Sequence, residues 1–214
     1  MNADISKIRQ DYSLASLETD DLADSPLDQL QRWLQEAISA ELPEPNAMTL
    51  STVRADGRPS ARIVLARGVD AQGVTFFTNY RSHKGQALLA TPWASLTFYW
   101  AALERQVRIE GKVEKLSPQA SDDYYLERPV GSRLGAWASP QSQVIPSRAW
   151  LEAQHEIMRA QFGDAPPRPG DWGGYRVVPD RAEFWQGRPS RLHDRLAYSW
   201  SNPDAVWRVA RLAP

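Results

Sequence analysis

Near Ala47 the apolar residues of this chain change from a helical to an alternating spacing, and the alternation returns in short bursts to the end. Upstream, Ser25 precedes Pro26, and Leu27, Leu30, Leu34 and Ile38 form one helical stripe that stops before Pro43. Downstream, Met48-Leu50-Thr52, a turn at Ala55-Asp56-Gly57 and Ile63-Leu65 predict a hairpin. Val74-Phe76, Leu96-Phe98-Trp100 and Val107-Ile109 continue the two-residue period, and further strands are expected near 173–178, 181–186, 195–200 and 206–211. Helices are predicted from Ser82 to Ala90, from Ser117-Pro118, from Pro129, and from Ser147 to about Phe162, the last with Trp150, Ile157 and Met158 apolar. Pro166-Pro167-Arg168-Pro169-Gly170 reads as a linker or hinge. Short strands joined by turns and decorated by helices predict a mainly β fold, a barrel with a small helical subdomain.

With 214 residues the chain can bury one sizeable core. Residues 1–24, polar apart from Ile5, Ile8 and Tyr12, are expected to form a mobile arm, and 25–214 a single domain. The 25 basic and 26 acidic residues leave a net charge of −1, so no global field draws the protein to nucleic acid or to an anionic membrane. Any anion site must therefore be local. Cysteine is absent, which removes disulfides, thiolate nucleophiles and Cys-ligated metals, and no metal site is expected. The opening Met-Asn-Ala-Asp is no basic-then-apolar leader, and no apolar run approaches the ~20 residues of a membrane helix, so a cytoplasmic location is expected. Nine Trp, seven Tyr and five Phe suit a ring-binding pocket or a subunit interface.

The candidates for chemistry are the basic residues that interrupt apolar strands. Arg62 precedes Ile63-Val64-Leu65 and Arg67 closes that run, so one strand is expected to carry guanidinium groups at both ends. Ser82-His83-Lys84 stands at a helix start, where free amides and the positive dipole end favour an anion. A capped helix with a surface lysine gives the same pattern. There is no Gly-rich triphosphate loop, so a phosphate held there would belong to a smaller ligand. Tyr124, Arg128 and Ser132, spaced by four, would converge across a bend at Pro129, either as phosphate donors or as a helix end with satisfied polar groups. Gln106, inside a β pattern, is a pairing residue of the sheet or a donor and acceptor to a heterocycle. If residues 191–195 are extended, Arg191, His193 and Arg195 share a face close to Trp185. That face suits an anionic aromatic ligand or a solvated basic edge.

Arg62-Ile63-Val64-Leu65, Phe76-Phe77-Thr78-Asn79, Ser82-His83-Lys84, Leu103-Glu104-Arg105-Gln106-Val107, Gly135-Ala136-Trp137-Ala138-Ser139, Gln141-Ser142, Trp172-Gly173-Gly174, Glu183-Phe184-Trp185-Gln186-Gly187, Arg191-Leu192-His193-Asp194-Arg195 and Arg211-Leu212-Ala213-Pro214 occur in this order. Together they closely resemble the pyridoxamine 5'-phosphate oxidase family from about residue 8 to the end. The resemblance implies an FMN-binding split β-barrel, a homodimer with FMN at the subunit interface, and oxidation of pyridoxine or pyridoxamine 5'-phosphate to pyridoxal 5'-phosphate with O2 as acceptor. By the same resemblance the flavin contacts fall on Arg62, Ile63, Val64, Leu65, Arg67, Phe77, Thr78, His83, Lys84, Gln106, Gln141, Ser142, Trp185 and Arg195. Substrate contacts fall on Arg67, Tyr124, Arg128 and Ser132 around a second phosphate, on Arg191 and His193 beside the pyridine ring, and on Arg9 and Tyr12 of the arm.

Three positions depart from the family's usual pattern. Arg67 stands where lysine is usual, His83 where arginine is common beside Lys84, and Gln10 where the arm often has arginine. Arg67 turns a point donor into a planar fork, and His83 replaces a permanent charge with a partial one. Arg191 and His193 are the expected catalytic pair, Arg191 covering the far face of the pyridine ring and His193 orienting its phenolic oxygen or a water. No residue reads as a strong general base. Two other classes are a flavin-barrel reductase, which would not need Tyr124, Arg128 and Ser132, and a non-enzymatic binding module.

Overall fold

The computed structural model describes residue 7, residues 10–202 and residues 204–214. Arg9, Ile5 and Ile8, all singled out in the sequence, lie outside the described residues. The fold is a split β-barrel with helices, as expected. The strands are β1 (Ala47–Val53), β2 (Pro59–Leu65), β3 (Gly68–Asp70), β4 (Gly73–Asn79), β5 (Trp93–Trp100), β6 (Arg105–Lys115), β7 (Trp172–Gln186), β8 (Asp194–Ser201) and β9 (Val206–Arg211). The helices are α1 (Pro26–Ser39), α2 (His83–Ala90), α3 (Pro118–Glu127), α4 (Val130–Ala138) and α5 (Arg148–Phe162).

All pairings are antiparallel, in the order β2-β1-β5-β6-β7-β4-β3, with β8 and then β9 added on the far half of β7. The two ends of this order meet at the corner between β2 and β3. There Ala66 N donates to Asn46 O (2.9 Å) and Arg67 N to Thr75 O (2.8 Å), so the chain itself closes the barrel. Arg62 accordingly lies within β2 and Arg67 in the corner beyond it, not at the two ends of one strand.

The barrel splits along β7. Residues 172–177 pair with β4 and 181–186 with β8, while β6 follows both halves. The sequence predicts two strands here, and the structure has one. Pro179, which has no N–H to give, falls between the two partners, where that edge needs none. Opposite it the register shifts between Glu110 and Gly111. A Cβ on Gly111 would stand 2.0 Å from Val178 O, so the bulge closes only on glycine.

The predicted caps are present at Ser25, Ser82, Ser117 and Ser147, whose hydroxyls accept from the amides of Asp28, Gly85, Ala120 and Trp150. Alternation along β1 and β5 buries Met48, Leu50, Leu96 and Phe98, and α1 closes this end of the core with Leu27, Leu30, Trp33 and Ala37. Truncating Leu30 in so closed a core costs about 2–5 kcal/mol. Ile38 departs from its predicted stripe. It lies half out of the core in the last turn of α1, beside the corner at 66–69. In α5, Trp150, Ile157 and Met158 are not buried, and the helix packs on α4 at the edge of the helical subdomain.

The described part of the N-terminal arm lies against the barrel. Leu17 is buried in the core, its N–H donates to Asp194 (3.1 Å), and its carbonyl accepts from Arg211 (3.0 Å). Leu14 N donates to Glu104 (3.0 Å), and Arg188 reaches Ala15 O (3.0 Å). The expectation of extended chain over 191–195 fails. Ser190 and Arg191 have φ of 56° and 62°, in the left-handed region, and β8 begins only at Asp194. Arg191, His193 and Arg195 therefore do not form one strand face.

Candidate active site

The proposed site residues gather in two places. The first is a cavity of about 300 Å³ bounded by β2, the end of β4, the start of α2, the end of α3 and the start of β7. Arg62 crosses from β2 to β1, where its guanidinium donates to Leu50 O (3.0 Å), Thr52 Oγ1 (2.9 Å) and Ser60 Oγ (2.7 Å). Lys84 lies in the first turn of α2 and donates to Thr78 Oγ1 (3.2 Å) and Gln141 Oε1 (3.1 Å). Thr78 also donates to Gln141 (2.9 Å), so one amide oxygen gathers both groups. Ile63, Val64 and Leu65 contribute β2 to the wall.

The opposite wall is aromatic. Phe77 and Tyr124 stack at 3.9 Å, Trp172 lies nearly parallel to both, and the Arg128 guanidinium covers the Trp172 ring at 4.5 Å. Arg67 stands 5.9 Å from the Tyr124 ring. Arg62, Arg67, Lys84 and Arg128 thus surround one cavity that no Asp or Glu among the described residues lines. Burial pushes Arg62 below its ordinary pKa. Burial, and then the Arg62 charge, push Lys84 down, while Arg128 is lowered by burial with Arg67 adding to it. Arg128 Nη1 is buried without a hydrogen-bond partner among the described residues. Gathered like charges and an unmet guanidinium nitrogen are unfavourable until an anion enters.

The second place is the far end of β7. Gln106, Trp185 and Arg195 are lateral neighbours across β6, β7 and β8. The Trp185 ring lies 5.6 Å from Tyr12 and 4.7 Å from His193, and Tyr12 is 5.8 Å from His193. A Cβ on Gly187 would stand 2.7 Å from Tyr12, so the arm's close approach depends on that glycine. Tyr12, Arg188, Arg191 and His193 line a cavity of about 800 Å³. Arg188 N donates to His193 Nδ1 (3.1 Å), which puts the proton of the neutral ring on Nε2. Burial, then Arg191, push His193 below its ordinary pKa, with Asp194 opposing.

Most arginines at this end are paired. Arg195 grips Glu183 through Nε (2.9 Å) and Nη2 (3.0 Å) and donates to Ala213 O (2.7 Å). Asp194 accepts from Arg211 (2.6 Å) and Leu17 N and stands 3.5 Å from Arg188. Thr78 pairs with Gly173 and Gln106 with Trp185, so the two places are twelve residues apart on β7, roughly 40 Å along an extended strand.

Three candidates belong to neither place. His83 is exposed at the first position of α2, Ser132 is exposed in α4, and Ser142 is exposed with φ 72°. Sequence reasoning missed the roles of Trp172, Glu183 and Asp194. All three sit inside motifs it quoted, Trp172-Gly173-Gly174, Glu183-Phe184-Trp185-Gln186-Gly187 and Arg191-Leu192-His193-Asp194-Arg195, but their partners are set by strand register and packing.

Residues 34–162 match the family profile described as "Pyridoxamine 5'-phosphate oxidase", and residues 172–214 that described as "Pyridoxine 5'-phosphate oxidase C-terminal dimerisation region". The chain belongs to the pyridoxamine 5'-phosphate oxidase family. Its relatives include the pyridoxine/pyridoxamine 5'-phosphate oxidases of Paraburkholderia phymatum (60% identical over 210 residues) and Burkholderia multivorans (60% over 214), each alignment covering 98% of this chain and 99% of the relative. The chain is an oxidoreductase of this family. Among solved structures, PhzG from Burkholderia lata 383, in complex with tetrahydrophenazine-1-carboxylic acid, has a TM-score of 0.89 at 35% identity, over 96% of this chain and 100% of that one. A pyridoxamine 5'-phosphate oxidase-related, FMN-binding protein from Nostoc punctiforme shares the fold, with a TM-score of 0.71 at 19% identity over 90% and 100% of the two chains. The basic cavity draws most of its residues from the first family region, whereas Trp185, Arg191, His193 and Arg195 lie in the dimerisation region. Among the described residues, no helix is long and apolar enough to cross a membrane, and no group of three or more His, Asp or Glu could hold a metal.

Proposed function

We propose that this chain is a cytoplasmic, FMN-dependent oxidase that converts pyridoxamine or pyridoxine 5'-phosphate to pyridoxal 5'-phosphate, with O2 as acceptor and hydrogen peroxide released. The observation that carries this reading is the cavity with four cationic side chains, no carboxylate and one unmet guanidinium nitrogen, walled by stacked aromatic rings. It is chemistry for phosphorylated aromatic ligands. The curated relatives at 60% identity carry the matching activity in their names.

Arg62, Lys84 and the α2 amides would hold the flavin phosphate, and Arg67, Tyr124 and Arg128 that of the substrate. Bound FMN would supply the two-electron acceptor and its reoxidation by O2. Per turnover the alcohol loses two electrons and two protons, which reduce O2 to peroxide. The amine does the same and then takes up water to release ammonia. Neutral His193, with its proton on Nε2, would donate a hydrogen bond to the phenolic oxygen, and Arg191 would lie over the pyridine ring. Tyr12 would cover the pocket and exclude water. A second copy of the chain would bring Gln106, Trp185, Arg191, His193 and Arg195 of one protomer to the basic cavity of its partner. Support for this homodimer comes from the separation of the two groups along β7 and from the dimerisation region that spans 172–214.

The PhzG relative, crystallised with a tricyclic carboxylate, raises a second reading in which the substrate has no phosphate. The test is anaerobic addition of pyridoxine 5'-phosphate or pyridoxamine 5'-phosphate to the yellow holoprotein. Bleaching, followed in air by one peroxide per pyridoxal 5'-phosphate, is expected. A flavin that both compounds leave oxidised, and that tetrahydrophenazine-1-carboxylic acid reduces, overturns the first reading in favour of the second.

A further inference from the structure

We propose that Trp172 is a positioning residue for the substrate phosphate, holding the Arg128 guanidinium by its face so that its in-plane N–H groups stay available to an anion. This rests on the oxidase reading above. Arg128 follows the last turn of α3, where its own backbone N–H donates to Tyr125 O (3.3 Å). Its side chain lies on aromatic faces, 4.5 Å from the Trp172 ring and 5.8 Å from that of Tyr125, and it makes no ion pair among the described residues. A guanidinium stacks through its plane and hydrogen-bonds within it, so stacking fixes the group without consuming donors.

Arg168 shows the opposite arrangement. It is half-buried, and its donors are taken by Asp122 of α3 (2.5 Å) and by the Trp172 carbonyl (2.7 Å). Arg168 thereby ties the Trp172 backbone to the helix that carries Tyr124 and ends at Arg128. Trp172 is 6% exposed, and its plane lies within 15° of Phe77 and 8° of Tyr124. The indole is thus held by ring stacking and its backbone by Arg168, and Arg128 lies over the ring. An aliphatic side chain at 172 would keep the surroundings apolar but leave part of the ring's space empty and offer no face, leaving the half-buried cation to turn toward Tyr125 or solvent.

The experiment compares flavin-loaded wild type, Trp172→Phe and Trp172→Leu. It reads kcat and KM for pyridoxamine 5'-phosphate and the binding of inorganic phosphate, by calorimetry and as a competitive inhibitor. In Trp172→Leu, KM and the phosphate constant are expected to rise together by about tenfold, the scale of a desolvated cation–π contact, with kcat within about twofold. Trp172→Phe, which keeps a ring face, should stay within about threefold of wild type on both. Should Trp172→Leu fail to fold, Trp172→Met, of adaptable shape and without a ring, decides on the same two constants. A folded, flavin-loaded Leu or Met variant with unchanged phosphate binding overturns the proposal. Wild-type protein inert toward pyridoxamine 5'-phosphate would instead overturn the oxidase reading, and the calorimetric comparison would still decide the role of Trp172.

Discussion

The two ends of β7 use the same residue type in opposite ways. Around its start, Arg62, Arg67, Lys84 and Arg128 share a cavity with no carboxylate, and their charges are held by neutral oxygens or aromatic faces. Around its end, Arg195 is gripped by Glu183, and Arg188 and Arg211 converge on Asp194. Unmatched cations kept close together cost the empty protein free energy, which a bound anion returns. Matched cations are fasteners, here joining β7, β8, the arm and the C-terminal strand. Arg195 carries the same formal charge as Arg62, yet its fork is already spent.

The largest effect that would break this comparison is on stability. Glu183 is nearly buried and holds two guanidinium bonds, so Glu183→Ala leaves an uncompensated charge in the sheet and is expected to cost about 3–5 kcal/mol. Urea unfolding of the flavin-free protein measures it. A loss below about 1 kcal/mol, the range of exposed pairs, would mean that the grip of Glu183 on Arg195 fastens the sheet no better than a surface pair.

Next comes turnover. Arg191 and His193 belong to the fastened end but are not themselves clamped by carboxylates among the described residues. Arg191→Ala and His193→Ala are expected to lower kcat and kcat/KM together by about 10²-fold while flavin content stays near wild type. Turnover close to wild type at full loading would remove either residue from the catalytic assignment. The acid side adds a sign. Because the folded His193 pKa lies below its ordinary 6.5, the unfolded chain binds more protons as pH falls through 6.5 and then through the folded value. Stability from this group is thus full above 6.5 and lost across that window, and His193→Gln should flatten melting temperature against pH there.

How legible this was in the sequence follows from the range of the interactions involved. Four of the five helix starts were readable because each is a serine within three residues of the amide it caps, and the fifth, α4, because Pro129 opens it. The alternation of β1 and β5 was readable for the same local reason. The single strand β7 was not, since Pro179 looks like a break until β4 and β8 are seen to take different halves of one edge. Residues 191–195 misled because nothing local announces left-handed backbone at Ser190 and Arg191, neither of them glycine. The basic cavity was found residue by residue, but its lack of carboxylates, and the Glu183 grip on Arg195, are properties of register and packing. A search for basic residues alone could not distinguish the two ends of β7.

A smaller effect sharpens the comparison from the other side. Lys84→Met removes one of the unmatched cations, so flavin binding should weaken by about 1.5–3 kcal/mol, the scale of a charge-assisted hydrogen bond. The flavin-free protein should lose no more than about 1 kcal/mol, because relief from Arg62 offsets the bonds to Thr78 and Gln141. The lysine's lowered pKa means that its destabilising contribution is full below the folded value and fades as pH rises toward 10.5. Unfolding midpoints of the flavin-free protein at pH 7–10 should therefore show a rise in wild type that Lys84→Met lacks. Equal flavin affinity in the two proteins would place the phosphate elsewhere.

The smallest effect concerns His83. It occupies the first position of α2 beside Lys84, but its side chain is exposed and outside the cavity lining, whereas Lys84 turns inward. A charge there acts on a bound phosphate through solvent, where screening limits a pair to about 1 kcal/mol or less. His83→Arg should therefore tighten FMN binding at pH 8 only slightly, by less than about 1 kcal/mol, and the gain should shrink as salt is raised from low to physiological ionic strength. FMN dissociation followed by fluorescence at pH 8, at two salt concentrations, measures it. A salt-insensitive gain of about 2 kcal/mol would show a direct contact at His83, adding it to the unmatched cations and extending the anion site from the cavity onto the exposed turn of α2.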